Sequence, residues 1–374
     1  MKQKKHFFVY DEQTGRPIGL TPEYESYYLD AKRKIQEGEM IPFCFVGTLK
    51  DEVARSDKEK SRLFYASELI VILLMRVYFM PVFAILKKFW LVAQIALGSD
   101  VHSEQWGELY NYLSEWSEAI VAGDYANFDL CHSVPYLYEA VTILIRLAQA
   151  SAYYTSSDIL AMETLRNGLI QPFIAFDGSW LKVHGILTSG LSGTAEITCL
   201  LNQMYFRSAY KSLTGRPCSQ FRKDTRFNVL GDDHVCAVAP EIRDKFNFIA
   251  IKDYFLKHGL GYTNAQKDDR EFYFEELTDI EYLKRKFHPY GSRILAPLRE
   301  ESLHKMMQWG VDPKKENSVD LFNSLYQECI QRFPSNGQEI WDFNLELASN
   351  VELGGHNLKD LVLQRLPQAL EYNL

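Results

Sequence analysis

The stretch that most constrains this chain is Phe227-Asn228-Val229-Leu230-Gly231-Asp232-Asp233-His234-Val235-Cys236-Ala237-Val238. Two runs of strand-forming residues are pinched around a Gly-Asp-Asp, which reads as a β-hairpin presenting two adjacent carboxylates at its tip. Apolar strands on both sides anchor such a tip in a core, and side-by-side carboxylates repel each other unless a cation sits between them. A divalent metal is the economical reading. An ordinary turn is the plain alternative, because Gly and Asp are common turn formers. The choice rests on what the rest of the chain supplies.

At 374 residues, 47% hydrophobic and 24% charged, the chain has the composition of a globular protein and room for more than one subdomain. Its net charge of -8 argues against a simple nucleic-acid-coating protein, so a polynucleotide site has to be a local basic strip. One such strip, interleaved with acids, runs from Lys50 through Lys60 to Arg62; by itself it equally fits a solvated loop. Six cysteines without a CxxC pair suggest neither a zinc site nor a disulfide framework, and fit a reducing compartment. The basic start is followed by too short an apolar run for a signal peptide. The most apolar region, residues 69–97, is interrupted by Arg76, Pro81, Lys87 and Lys88, which predicts packed helices and no transmembrane segment.

In chain order, a helix-like run covers residues 24–36, and an amphipathic helix is expected over 104–120, with Trp106, Leu109, Tyr110, Leu113 and Trp116 as a core stripe. Ala119-Ile120-Val121-Ala122-Gly123-Asp124 then reads as a short buried strand ending in a carboxylate, followed by a turn carrying Asp129. Ser133 looks like an N-cap with Pro135 in the first helical turn. Asp124 thus sits at a rigid strand end, while Asp129 lies beyond the turn and points elsewhere. After a helical stretch around 141–170, the small-residue loop Ser189-Gly190-Leu191-Ser192-Gly193-Thr194 feeds a helix with Ile197, Leu200, Leu201 and Met204 on one face. Paired glycines and hydroxyls at a helix entrance permit close backbone approach to a sugar or phosphate, and also serve as an ordinary cap. No internal repeat or low-complexity tether is visible, so subdomains are joined by short connections.

Taken in order, the Lys/Arg loop, the Asp-x4-Asp strand exit, the Ser-Gly-x-x-Gly-Thr loop and the Gly-Asp-Asp hairpin resemble the RNA-dependent RNA polymerases of picornavirus-like positive-strand RNA viruses. The similarity runs from about residue 49 to 287, and extends to Lys267 in Asn264-Ala265-Gln266-Lys267 and to Tyr282-Leu283-Lys284-Arg285. The resemblance implies an α+β right-hand fold with an antiparallel palm sheet flanked by helices. Its divisions would be partial fingers at 1–85, with the triphosphate-gripping loop at 49–63; palm at 86–145; a fingers insertion at 146–183; palm again at 184–287; and a helical thumb at 288–374.

It implies template-directed nucleotidyl transfer from nucleoside triphosphates to an RNA 3'-hydroxyl, replicating a viral RNA genome. Asp124, Asp232 and Asp233 would be catalytic metal ligands for two Mg2+ ions, with Mn2+ able to substitute, and two such ions sit about 4 Å apart in sites of this kind. Lys267 would be the general acid for departing pyrophosphate. Lys50, Lys60 and Arg62 would offset triphosphate charge. Asp129, Ser189, Gly190, Thr194 and Thr198 would line the nucleotide site, and Leu283, Lys284 and Arg285 would form the primer grip. Implied partners are RNA template and primer, nucleoside triphosphates, a protein primer and other viral replication proteins, in membrane-associated replication complexes of the host cytoplasm.

Two departures stand out. The fourth residue after the motif's Thr, usually an Asn that helps read the ribose 2'-hydroxyl, is Thr198. The Gly-Tyr-Pro segment that precedes the Lys-Asp-Glu loop in the family is missing, so the chain reads as a polymerase lacking much of its amino-terminal fingers, either a fragment or a divergent lineage. Two other readings share parts of the pattern. A reverse transcriptase typically carries Met or Ala where Gly231 stands, and a catalytically silent RNA-binding subunit would have no need of Asp124, Asp232 and Asp233 together.

Overall fold

The architecture is taken from a computed structural model, which describes residues 4–50, 63–265, 270–308, 317–333, 335–353 and 355–370. Lys60, Arg62 and Lys267 lie outside the described residues.

The Gly-Asp-Asp stretch forms the expected hairpin. Strands Thr225–Leu230 and Asp233–Val238 pair antiparallel from Thr225↔Val238 to Leu230↔Asp233. They belong to a four-stranded antiparallel sheet that continues through Ile120–Tyr125 to Tyr262–Thr263. Alternate residues serve two cores, as the two-residue period of a strand requires. Val121, Cys236 and Val238 join the larger core, which includes the helix Thr194–Thr214, while Ile120, Ala122, Val235 and Ala237 pack with Trp106, Leu109 and Leu113 of the helix Gln105–Ser114. Covering both faces makes these strands continuously apolar and holds their polar ends rigidly at one rim.

The helix expected over 104–120 stops at Ser114. The Ser117 hydroxyl donates to Val238 O at 2.6 Å and accepts from Ala119 N at 3.0 Å, which turns the chain straight into the Ile120–Tyr125 strand. Trp116 lies beyond the helix end, with the Arg226 guanidinium 3.7 Å from its ring centroid. Ser133 does occupy the N-cap of Val134–Gln149 in an extended conformation, although its side chain makes no capping hydrogen bond.

A second four-stranded sheet runs in the order Leu63–Ser67, Cys44–Leu49, Phe173–Phe176, Ser179–Lys182, uniting segments more than a hundred residues apart through the parallel pairing Phe45↔Ile174. Leu69–Lys88 is a continuous helix despite Pro81, which is exposed and has no N–H to give the carbonyl of Val77, itself an exposed residue. It is long and apolar enough to cross a membrane by length and composition, and 56% of that window is buried inside the fold. The C-terminal region is helical: Glu300–Gln308, Asn317–Gln331, Gly337–Ala348 and Leu358–Leu363 close around Leu303, Leu325, Cys329, Trp341 and Val362.

Candidate active site

The sheet register brings the carboxylates together. Gly123 pairs with His234, so Asp124, one residue further on, comes alongside Asp233 of the neighbouring strand, and Asp232 sits in the turn. Gly231 makes that turn possible with φ +65°, a left-handed conformation that suits glycine. The tip is locked from behind. Asn202 Nδ2 donates to both Gly231 O and Asp232 O at 3.0 Å, and the Tyr125 hydroxyl donates to Asn202 Oδ1 at 3.3 Å. His234 bonds Asp232 O through Nδ1 at 3.1 Å and the Tyr262 hydroxyl through Nε2 at 2.6 Å. Burial pushes this imidazole down to about 3, so it is a neutral strut.

Asp233 carries the electrostatic signature of the cluster. Burial first, then the charges of Asp232 and Asp124, push its carboxyl up to about 7, and the Leu283 N–H at 3.2 Å partly offsets them. Among the described residues no three His, Cys, Asp or Glu side chains stand in a ready-made metal-binding group. The cluster is an open one, in which the charges of Asp124 and Asp232 reach Asp233. Its donor set is oxygen only, which suits a hard divalent cation that keeps several waters.

Around this rim the structure gathers the small-residue loop and the Asp129 turn. Leu187 N donates to Asp129 O at 3.1 Å, and the Ser189 hydroxyl accepts from Tyr65 N at 3.3 Å. Asp129 is exposed and close enough to Tyr65 that, after burial, its charge helps raise the phenol. Gly190 is required by contact: a Cβ there would lie 2.0 Å from Tyr65 O and 3.0 Å from Ser67 N. Thr194 ties the loop shut by donating to Thr188 O and Leu191 O at 2.9 Å. Thr198 is buried directly behind Gly231, and its hydroxyl turns back to Thr194 O and Ala195 O at 2.8 and 2.9 Å. Lys50 is exposed at the end of the Cys44–Leu49 strand.

Leu283 and Lys284 form a two-residue turn with φ +56° and +60°, bridged by Tyr282 and Arg285. Lys284 is exposed. Arg285 is buried and committed to Glu328, at 2.7 Å through Nη1 and 2.6 Å through Nη2. Sequence reasoning missed Asn202, His234, Tyr262 and Glu328. Asn202 left a signal, since it stands four residues after Thr198 among buried positions of an otherwise apolar helix face.

Two four-stranded sheets, a helical C-terminal region and a carboxylate rim with a glycine loop beside it define a right-hand polymerase fold. The family model for viral RNA-dependent RNA polymerases matches residues 21–347, and the chain belongs to that family. It is 25% identical over 341 residues to the replicase polyprotein of acute bee paralysis virus, covering 83% of this chain and 17% of that polyprotein. It is 26% identical over 393 residues to the replicase polyprotein of Drosophila C virus, covering 97% and 22% respectively. The chain therefore spans about a fifth of the curated relatives it matches. A solved structure titled Sicinivirus 3Dpol RNA dependent RNA polymerase superposes with a TM-score of 0.77 at 20% identity, over 96% of this chain and 73% of that one.

Proposed function

We propose that this chain carries out template-directed RNA synthesis, joining nucleoside triphosphates to the 3'-hydroxyl of an RNA primer. The observation that carries the reading is the meeting of Asp124, Asp232 and Asp233 at one sheet rim, with Asp233 held up near 7 by burial and by its two neighbours. These three carboxylates would hold Mg2+, as two ions, with Mn2+ as a substitute. When bound, the metal would favour the attacking alkoxide and neutralise the leaving pyrophosphate. The chain's own residues would do the rest. Lys50, Lys60 and Arg62 would offset the triphosphate charge, and Asp129 and Ser189 would hold the ribose hydroxyls beside Tyr65. Lys284 would contact the primer backbone, and Lys267 would deliver a proton to pyrophosphate, a role that typically contributes 10²- to 10⁴-fold in rate.

In this reading the Cys44–Leu49 sheet belongs to the fingers, the sheet bearing the carboxylates to the palm, and the helices after residue 288 to the thumb. A protein primer, other viral replication proteins and membrane-associated complexes of the host cytoplasm would be its setting.

The test is primer extension on a homopolymer template with Mg2+. Asp232→Ala and Asp124→Ala should abolish incorporation. Metal-free thermal stability should be equal or higher in both, because each relieves like-charge repulsion. Near-normal extension by either variant would refute the metal assignment, and an inactive natural chain that still binds RNA would favour the silent-subunit reading.

A further inference from the structure

Resting on the polymerase reading, we propose that Glu328 is a positioning residue for the Asp233 carboxylate, acting from the C-terminal helices through Arg285 and the 282–285 turn. The chain of contacts is short. Glu328 lies on the helix Asn317–Gln331, and its two carboxylate oxygens take both arms of Arg285 at 2.6 and 2.7 Å. Each side chain is only 10% exposed, so the pair is buried and directional, with a planar guanidinium matched to a planar carboxylate. His102 Nε2 stands 3.2 Å from Glu328 Oε1, the oxygen that accepts from Arg285 Nη2.

Arg285 also donates to Ala296 O at 2.7 Å, and the Ala296 N–H is held by Gln331 Oε1, one helical turn from Glu328, at 2.9 Å. The backbone of Arg285 pairs with Tyr282 in both directions at 2.9 Å, which closes the turn and aims the intervening Leu283 N–H at Asp233 Oδ2, 3.2 Å away. Arg299 braces the other side, giving its backbone N–H to Lys284 O at 2.8 Å and its Nε to Glu281 at 2.9 Å.

Two left-handed residues in a row are costly outside glycine, so this turn keeps its shape because its surroundings over-determine it. Asp233 lies at the sheet rim beside Asp124 and Asp232, and the Leu283 N–H is a donor the structure gives its carboxylate. Buried Arg285 is thereby an anchor for the turn, and the primer contact falls to exposed Lys284.

The experiment uses the full chain with Glu328→Gln, which keeps the shape and removes the charge. Amide hydrogen exchange at Leu283 is read in metal-free protein, and single-nucleotide incorporation is read on a preformed primer–template with Mg2+. A hydrogen bond to a charged group is worth roughly tenfold to a hundredfold, so exchange at Leu283 should quicken by about tenfold and the saturating rate should fall by about tenfold. Nucleotide KM, RNA affinity and exchange in the Ile120–Tyr125 strand should stay within about twofold, as expected of a loss felt mainly in the transition state.

Unchanged Leu283 exchange in the variant overturns the proposal. So does weakened RNA binding at an undiminished rate, which would make Arg285 a primer contact. If Glu328→Gln does not fold, Arg285→Lys decides the matter by the same readouts, since an ammonium keeps the charge and loses the two-armed pair. A natural chain that incorporates nothing would sink the polymerase reading, while Leu283 exchange would still decide the coupling.

Discussion

Protonating His132 should cost the fold about 3 kcal/mol between neutral pH and pH 4, and the cost falls on the side of the site that carries Asp129 and the glycine loop. The ring meets Phe128 edge-on with centroids 4.7 Å apart, and its Nδ1 lies 3.3 Å from the Tyr205 hydroxyl, while Nε2 is buried with no hydrogen-bond partner among the described residues. Burial pushes the imidazole from 6.5 down to about 4. The folded value is below the unfolded one, so the unfolded chain takes the proton first. Stability is fully present above pH 6.5 and drains away as pH falls toward 4. The gap between 6.5 and about 4, at about 1.4 kcal/mol per pKa unit, sets a ceiling of about 3.5 kcal/mol, and about 3 kcal/mol of it is lost by pH 4, where the folded chain is itself half protonated. His132 directly follows the turn that carries Asp129, and that turn is tied to the glycine loop through Leu187 N, so acid should loosen both together. The assay is urea unfolding from pH 7.5 to 4 for the natural chain and His132→Phe, where the difference between the two curves isolates this group from the titrating carboxylates. Parallel curves would refute the reasoning.

Gly190→Ala drives a methyl into the backbone of Tyr65, which cannot rotate away as a side chain would; a stability loss of about 3 kcal/mol in urea is expected, at the upper end of overpacking costs, together with weakened nucleotide binding. Thr198→Asn should sharpen discrimination between ribo- and deoxyribonucleotides, because the threonine hydroxyl is spent on its own helix carbonyls, whereas an amide has two donors and a longer reach. A hydrogen bond to a charged partner is worth roughly 1.5 to 3 kcal/mol, so matched incorporation efficiencies should separate by about tenfold or more, and equal discrimination in the two proteins would exclude position 198 from sugar selection.

What the sequence discloses here follows from periodicity, and what it hides follows from tertiary pairing. The hairpin could be read because its apolar runs and its Gly-Asp-Asp have one compact solution, and the strand carrying Asp124, which runs one residue further to Tyr125, because a fully apolar run needs two covered faces. The end of the Gln105–Ser114 helix could not, because Trp116 keeps the apolar spacing one turn too far and only the bonds of Ser117 to Val238 and Ala119 reveal the exit. Tyr-Leu-Lys-Arg shows the same limit at the site itself. In the sequence Lys284 and Arg285 are neighbouring cations suited to the same anionic partner. In the fold the left-handed turn sends one to the surface and the other inward to Glu328, 43 residues away, so adjacent like charges take opposite jobs. A basic residue beside a carboxylate cluster of this kind is thus as well placed to hold the backbone that orients one of its carboxylates as to meet an anionic ligand, and burial decides between the two.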